Sequence, residues 1–308
     1  MTLNNLIDKN FQIKLNLESS INAHSDTIFQ ISILPLGKII SVSKDKSIKI
    51  WNNDFSLYQN ISNAHEHSIF NISIKDENSF VTCSYDESIK FWNKKEEKFQ
   101  CSEILKEAHY FQIFKVLYLK NGTLISCSED GNVKIWEEIK QNYHQLKTLI
   151  CHKNVIYSFL LLNDINILVT SGFGGTYFWN YNNFNFIFKV NVKCNWWNSI
   201  ERIEKDKVII GSLNEENLYI ISISKKEIIK EINNHFIVYC ILNIEDKGIF
   251  LVGGIKDIIH IYSKDNYQLL IKFNPNQYNN IYGLTRFGNR IISFSGNNYK
   301  IWKLGYNF

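Results

Sequence analysis

The sequence predicts an all-β chain assembled from seven copies of one short unit. Three observations carry that reading. First, Ser47-Ile-Lys-Ile-Trp51, Ser88-Ile-Lys-Phe-Trp92, Asn132-Val-Lys-Ile-Trp136 and Thr176-Tyr-Phe-Trp179 copy one another, and Leu218-Tyr-Ile-Ile221, Ile259-His-Ile-Tyr262 and Tyr299-Lys-Ile-Trp302 continue the series. Their last residues lie 41, 44, 43, 42, 41 and 40 apart. Second, a histidine precedes the terminal aromatic by 27 residues in five units, at His24, His65, His109, His152 and His235. Third, each unit holds short β-type runs separated by turn residues, and no window sustains a helical period.

Unit one shows how each element reads. Ile28-Phe-Gln-Ile-Ser-Ile33 alternates as a half-buried strand, Pro35-Leu-Gly37 turns, and Lys38-Ile-Ile-Ser-Val42 runs again. Lys44-Asp-Lys46 turns into Ser47–Trp51, and a more variable fourth strand follows at Ser56-Leu-Tyr-Gln-Asn60. Four short strands per unit fit all-β and not βαβ.

Composition narrows the function classes. The 308 residues are 45% hydrophobic and 21% charged, enough for a sizeable core and against disorder. Net charge is +4, from 34 basic and 30 acidic residues, too balanced to demand a nucleic acid. Only Arg202, Arg286 and Arg290 among the basic residues are arginine. Apolar runs such as Ser158–Leu162 fall far short of the roughly 20 residues of a membrane span. The opening Met1-Thr-Leu-Asn-Asn-Leu-Ile-Asp8 lacks a basic flank and an apolar stretch, so the expectation is a cytoplasmic or nuclear protein that is not secreted. The six cysteines form no Cys-x-x-Cys pair, and reduced thiols packed as small apolar residues are expected.

These units resemble the WD40 family, whose repeats carry Gly-His near the start and Trp-Asp near the end. Here Ala23, Ala64 and Ala108 replace the glycine, and Asn52, Asn93, Glu137 or Asn180 replaces the aspartate. The resemblance implies a seven-bladed β-propeller of four-stranded antiparallel blades. It implies one propeller over 1–308, with repeat cores at 24–51, 65–92, 109–136, 152–179, 193–221, 235–262 and 275–302. Residues 1–23 are left over as entry and closing strand: Phe11–Leu17 is expected to add the outer strand of the last blade, because too little chain follows Trp302.

The family also implies a buried polar chain in each good blade, with histidine bonded to serine and aspartate and the serine reaching the tryptophan N–H. Carried over, the sets are His24, Ser43, Asp45, Trp51; His65, Ser84, Asp86, Trp92; and His109, Ser128, Asp130, Trp136. Unit four keeps His152, Ser171 and Trp179 but has Phe173 where aspartate belongs.

Recurrence at the blade period argues against a hydrolase triad, which occurs once. His65-Glu-His67 reads as a repeat histidine beside a loop histidine, not a metal site. Gly172-Phe-Gly-Gly175 reads as a tight turn, since it lacks the helix and Lys-Ser/Thr pair of a phosphate loop. No catalysis, cofactor, metal or small-molecule substrate is predicted.

What remains is surface. The family's upper face is lined by the residues three and five after the repeat histidine and by the one before the turn aspartate. The partner-binding candidates are therefore Phe29, Phe70, Tyr85, Phe114, Glu129, Tyr157, Trp196 and Tyr278. Two readings of the aromatic row stand side by side. The rings plug the channel, or they form a mouth that anchors a peptide. The leading expectation is a non-catalytic scaffold docking a peptide or partner subunit in a multiprotein complex. The alternatives are an RNA-associated assembly factor, against which the scattered lysines argue, and a propeller enzyme working at the mouth.

Overall fold

A computed structural model describes residues 12–139, 142–150, 152–194, 196–212, 215–274 and 280–307. Seven four-stranded antiparallel sheets make up a β-propeller. Blade one runs through Ile28–Ile33, Ile39–Ser43, Ile48–Trp51 and Leu57–Ile61. Its second strand is buried throughout, whereas its fourth has no buried residue. A strand covered on both faces reads as a near-continuous apolar run, and an outer strand does not.

The blades group into two compact units, one spanning His24–Trp197 and the other the described residues of 1–23 and 198–308. The first holds blades one to four. Its core lies between consecutive blades: Val42, Ile48 and Ile50 of blade one pack with Ile69, Phe80 and Trp92 of blade two. The second holds blades five to seven, with Leu218, Ile220, Val238 and Phe250 joining five to six.

In the second unit Gln12–Asn22 pairs antiparallel with Asn298–Asn307, and Leu17 lies opposite Trp302. The expected closing strand is therefore present and runs five residues further, to Asn22; Phe11 lies outside the described residues. Ile13 and Leu15 reach the core beside Trp302 and Leu251. The last residues extend the third strand of blade seven instead of turning back as a fourth. Supplying the outer strand from the other end of the chain covers an edge that would otherwise be open to pairing.

One local feature recurs in six blades. The first strand slips register between Ile28 and Gln30, Ile69 and Asn71, Ile113 and Lys115, Ile156 and Ser158, Val238 and Cys240, and Ile281 and Gly283. The residue inside each bulge is Phe29, Phe70, Phe114, Tyr157, Tyr239 or Tyr282. A bulge re-aims its side chain away from the regular pleat. The aromatic row is thus a row of bulges.

Candidate functional site

The polar chains come first, because they fix the turns that carry the surface. In blade one His24 donates through Nδ1 to Asp45 Oδ2 (2.9 Å), and its Nε2 lies 2.7 Å from Ser41 Oγ. Trp51 Nε1 donates to the same hydroxyl at 3.0 Å. His65, Asp86, Thr82 and Trp92 repeat this in blade two, and His109, Asp130, Ser126 and Trp136 in blade three. One proton arrangement satisfies every atom: a neutral histidine donating from Nδ1, and a hydroxyl that donates to Nε2 while accepting the indole N–H. Burial holds His24, His65 and His109 below the ordinary histidine value, against the pull of their aspartates. Burial pushes Asp86 up, but the bonds from His65, Ser88 and the Glu66 N–H outweigh it and hold the carboxyl well below the usual range.

The shared hydroxyl corrects the expected sets. It belongs to Ser41, Thr82 and Ser126, not to Ser43, Ser84 and Ser128. Those three brace the next turn: each accepts from the aspartate N–H two residues on and donates to a backbone carbonyl across the blade, such as Thr27 O. The hydroxyls of the chain are fully buried and committed to indole and imidazole, so no substrate reaches them. Among the described residues no group of three or more His, Cys, Asp or Glu is placed to hold a metal. Cys83, Cys127, Cys194 and Cys240 are buried as expected of small apolar residues, but Cys101 is exposed on an outer strand. Cys151 lies outside the described residues.

Blade four departs by one position. Phe173 N–H donates to Val155 O as Lys44 N–H does to Thr27 O, so Phe173 matches Lys44 and Gly174 stands in the aspartate's place. Thr170, not Ser171, takes the hydroxyl role for His152 and Trp179. The Nδ1 of His152 has no hydrogen-bond partner among the described residues, and a Cβ at Gly174 would lie 3.1 Å from it. Glycine is required next door: a Cβ on Gly172 would meet Val155 O at 2.1 Å. In blade six the repeat histidine is replaced. His235 is exposed, while the buried Asn234 accepts from Tyr262 OH (2.7 Å) and lies 3.0 Å from His260 Nδ1.

These chains set up a graded prediction. Asp86→Ala is expected to cost about 1–3 kcal/mol, since four donors, from His65, Glu66 and Ser88, lose a buried acceptor. Lys256→Ala, at the matching place in blade six, is expected to cost almost nothing, because Lys256 is exposed. Urea unfolding of both variants checks the difference, and equal losses would contradict it.

The predicted surface residues fall into two groups. Phe29, Phe70 and Phe114 are buried, packed on one another (5.2 and 5.3 Å between centroids) and around Trp197. Trp197 is itself 2% exposed, with Nε1 donating to Phe29 O. The three phenylalanines therefore fill space beneath the surface. The others form a rim on this cluster. Tyr85, half exposed, sits 6.4 Å from Phe70. Tyr157 lies 5.1 Å from Phe114, and the half-buried Trp196 stacks on Trp197 at 4.2 Å. Glu129 accepts from the Gln112 amide (2.8 Å) at the same level of blade three. Tyr278 lies outside the described residues.

Exposed Phe111 and Phe173, and the buried Trp197, went unpredicted. So did Tyr239 and Tyr282, the bulge residues of blades six and seven, which stack on each other at 5.8 Å. A β-branched residue followed by an aromatic marks the bulge in six units, from Ile28-Phe29 to Ile281-Tyr282, and would have found both.

Seven four-stranded blades with inter-blade cores and repeating buried polar chains define a β-propeller. A family model described as WD domain, G-beta repeat matches residues 15–52, 57–93 and 99–137, so three WD40 repeats are recognised within this seven-bladed propeller. Each matched segment starts in an outer strand and ends at the third strand of the following blade, so the sequence repeat is offset from the blade by one strand. A search of curated proteins returns no match. WD40 propellers are commonly protein-interaction scaffolds, and typically non-catalytic ones. Among the described residues no helix is long and apolar enough to cross a membrane.

Proposed function

We propose that this chain is a non-catalytic scaffold that docks a peptide segment or partner subunit of a multiprotein complex on the aromatic rim of blades one to four. The observation that carries the reading is the two-layer arrangement of the His24–Trp197 unit. A buried cluster of Phe29, Phe70, Phe114 and Trp197 fixes the positions of Tyr85, Tyr157 and Trp196, which keep part of each ring in solvent. Preorganised aromatics with a polar edge are the usual anchors of an interface, because little side-chain entropy is lost on docking. Phe111 and Phe173 widen the apolar surface, and Lys193 lies over the Phe173 ring at 5.0 Å.

The test is a paired measurement on the intact chain. Tyr85→Ala combined with Trp196→Ala is expected to weaken capture of the co-purifying protein about 30- to 1,000-fold, while melting changes little. A control, Leu270→Ala on an outer strand of the other unit, is expected to keep the partner. Full recovery by the rim variant would overturn the reading.

A further inference from the structure

The strongest feature outside the rim lies on blade seven, where two clefts of about 350 and 200 Å³ adjoin across the Gly288–Asn289 turn. Only three of the 34 basic residues are arginine, and two of those three flank this turn. Arg286 is fully engaged: both terminal nitrogens bond the Asp246 carboxylate and Nε donates to Gly288 O (2.9 Å). It braces the turn. Arg290 is held differently. It lines the larger cleft opposite Lys303, and Glu18 bonds its Nε alone. Lys247 lines the smaller cleft.

Glu18 reaches Arg290 because of a bulge. The closing strand pairs Leu17 with Trp302 and Ser19 with Ile301, which leaves Glu18 as the extra residue, turned out of the ladder. A single exposed ion pair of this kind is weak. A guanidinium fork prefers a bidentate oxyanion, which a one-point contact to Nε does not supply. The larger cleft carries two positive groups and one displaceable carboxylate. That balance suits a dianion better than a second carboxylate.

We propose that this cleft is a phosphate-monoester site, taking a phosphorylated side chain of a bound protein segment between Arg290 and Lys303, with Glu18 as the internal competitor that occupies Arg290 when the site is empty. The phosphate oxygens replace the Glu18 carboxylate on the fork, and no covalent bond changes. The adjoining cleft with Lys247 receives the residue next to the phosphorylated one. The site is separate from the aromatic rim and stands whether or not that rim docks a partner.

Three arginines give three side-chain Nε–H signals in a nitrogen–proton spectrum of the full chain, which makes the test direct. Titration with N-acetyl-phosphoserine amide is expected to shift the Arg290 signal and leave Arg202 in place, with the unphosphorylated serine compound silent. Glu18→Gln is expected to tighten binding about two- to fivefold, the range to which an exposed pair converts. Arg290→Gln should abolish it, and Lys303→Gln, which leaves the Glu18 contact intact, should weaken it. An unmoved Arg290 signal, or no gain in Glu18→Gln, overturns the proposal. Equal binding of inorganic phosphate would mark an adventitious ion only and overturn it as well. Arg290-dependent binding to phosphatidylserine vesicles without phosphoserine binding would replace it with a membrane contact.

Discussion

Trp197→Ala is expected to destabilise the protein by about 3–5 kcal/mol, the largest effect of any single truncation considered. Trp197 touches the bulge phenylalanines of three blades, with centroids 5.3, 5.1 and 6.0 Å away at Phe29, Phe70 and Phe114. Its removal leaves three rings facing a void that no single side chain can fill. It also leaves Phe29 O without the indole donor. The backbone of the same residue adds to the junction, since its carbonyl accepts from Ser158 Oγ (2.7 Å) and Lys115 Nζ (3.2 Å), and the substitution leaves those bonds possible. Trp196→Ala is the comparison. That ring is half-buried and stacks on one face of Trp197, so its loss is expected to cost far less stability. Urea unfolding of both variants separates the roles. Equal, small losses would show that the cluster does not hold the first four blades together.

Most of the fold was legible because turn residues and terminal aromatics repeat at one period, and because a strand-like run was left over before the first unit. The site was less legible, for reasons that trace to strand geometry. Ser41 and Ser43 lie two apart on one strand and so share a face, as do Thr82 and Ser84, and Ser126 and Ser128. Composition cannot say which of two same-face hydroxyls meets the indole; only the register of the neighbouring strands decides. In blade six Asn234 and His235 are adjacent, and the equal 27-residue interval pointed to the wrong one. Counting from Asn234 lands on Tyr239, the true bulge residue. Trp197 lies within the expected repeat core 193–221 but ahead of that blade's first strand, Ile200–Glu204, and counting from Lys193 gave it no role. Its neighbour Trp196 was placed by counting from Lys193, yet Gly211 N–H donates to Ser199 O, so the matching residue is Ser199.

Acidification is expected to unfold the protein in two steps, the upper one set by buried histidines. His152 is the cleanest case because no carboxylate faces its Nδ1. Burial, with a smaller push from Lys189, holds its pKa down to about 4, against 6.5 in an unfolded chain. A depressed histidine means that the unfolded state binds the extra proton first. Its contribution is therefore fully present above pH 6.5 and is lost as pH falls toward 4, about 3 kcal/mol in all. His24, His65 and His109 shift the same way, as does His260 in blade six, which burial also takes to about 4. Asp45, Asp86 and Asp130 act later: their carboxyls lie below the usual value, so their share is present above about pH 4 and is lost only below it. Unfolding free energy measured in urea from pH 7 to 4.5 should thus fall before these three aspartates titrate. His152→Leu tests the assignment to blade four. It removes the proton uptake of one buried imidazole, so the slope near pH 5.5 should flatten by up to about 1.4 kcal/mol per pH unit. Whatever the variant loses at pH 7, an unchanged slope would mean that His152 is not the group being protonated.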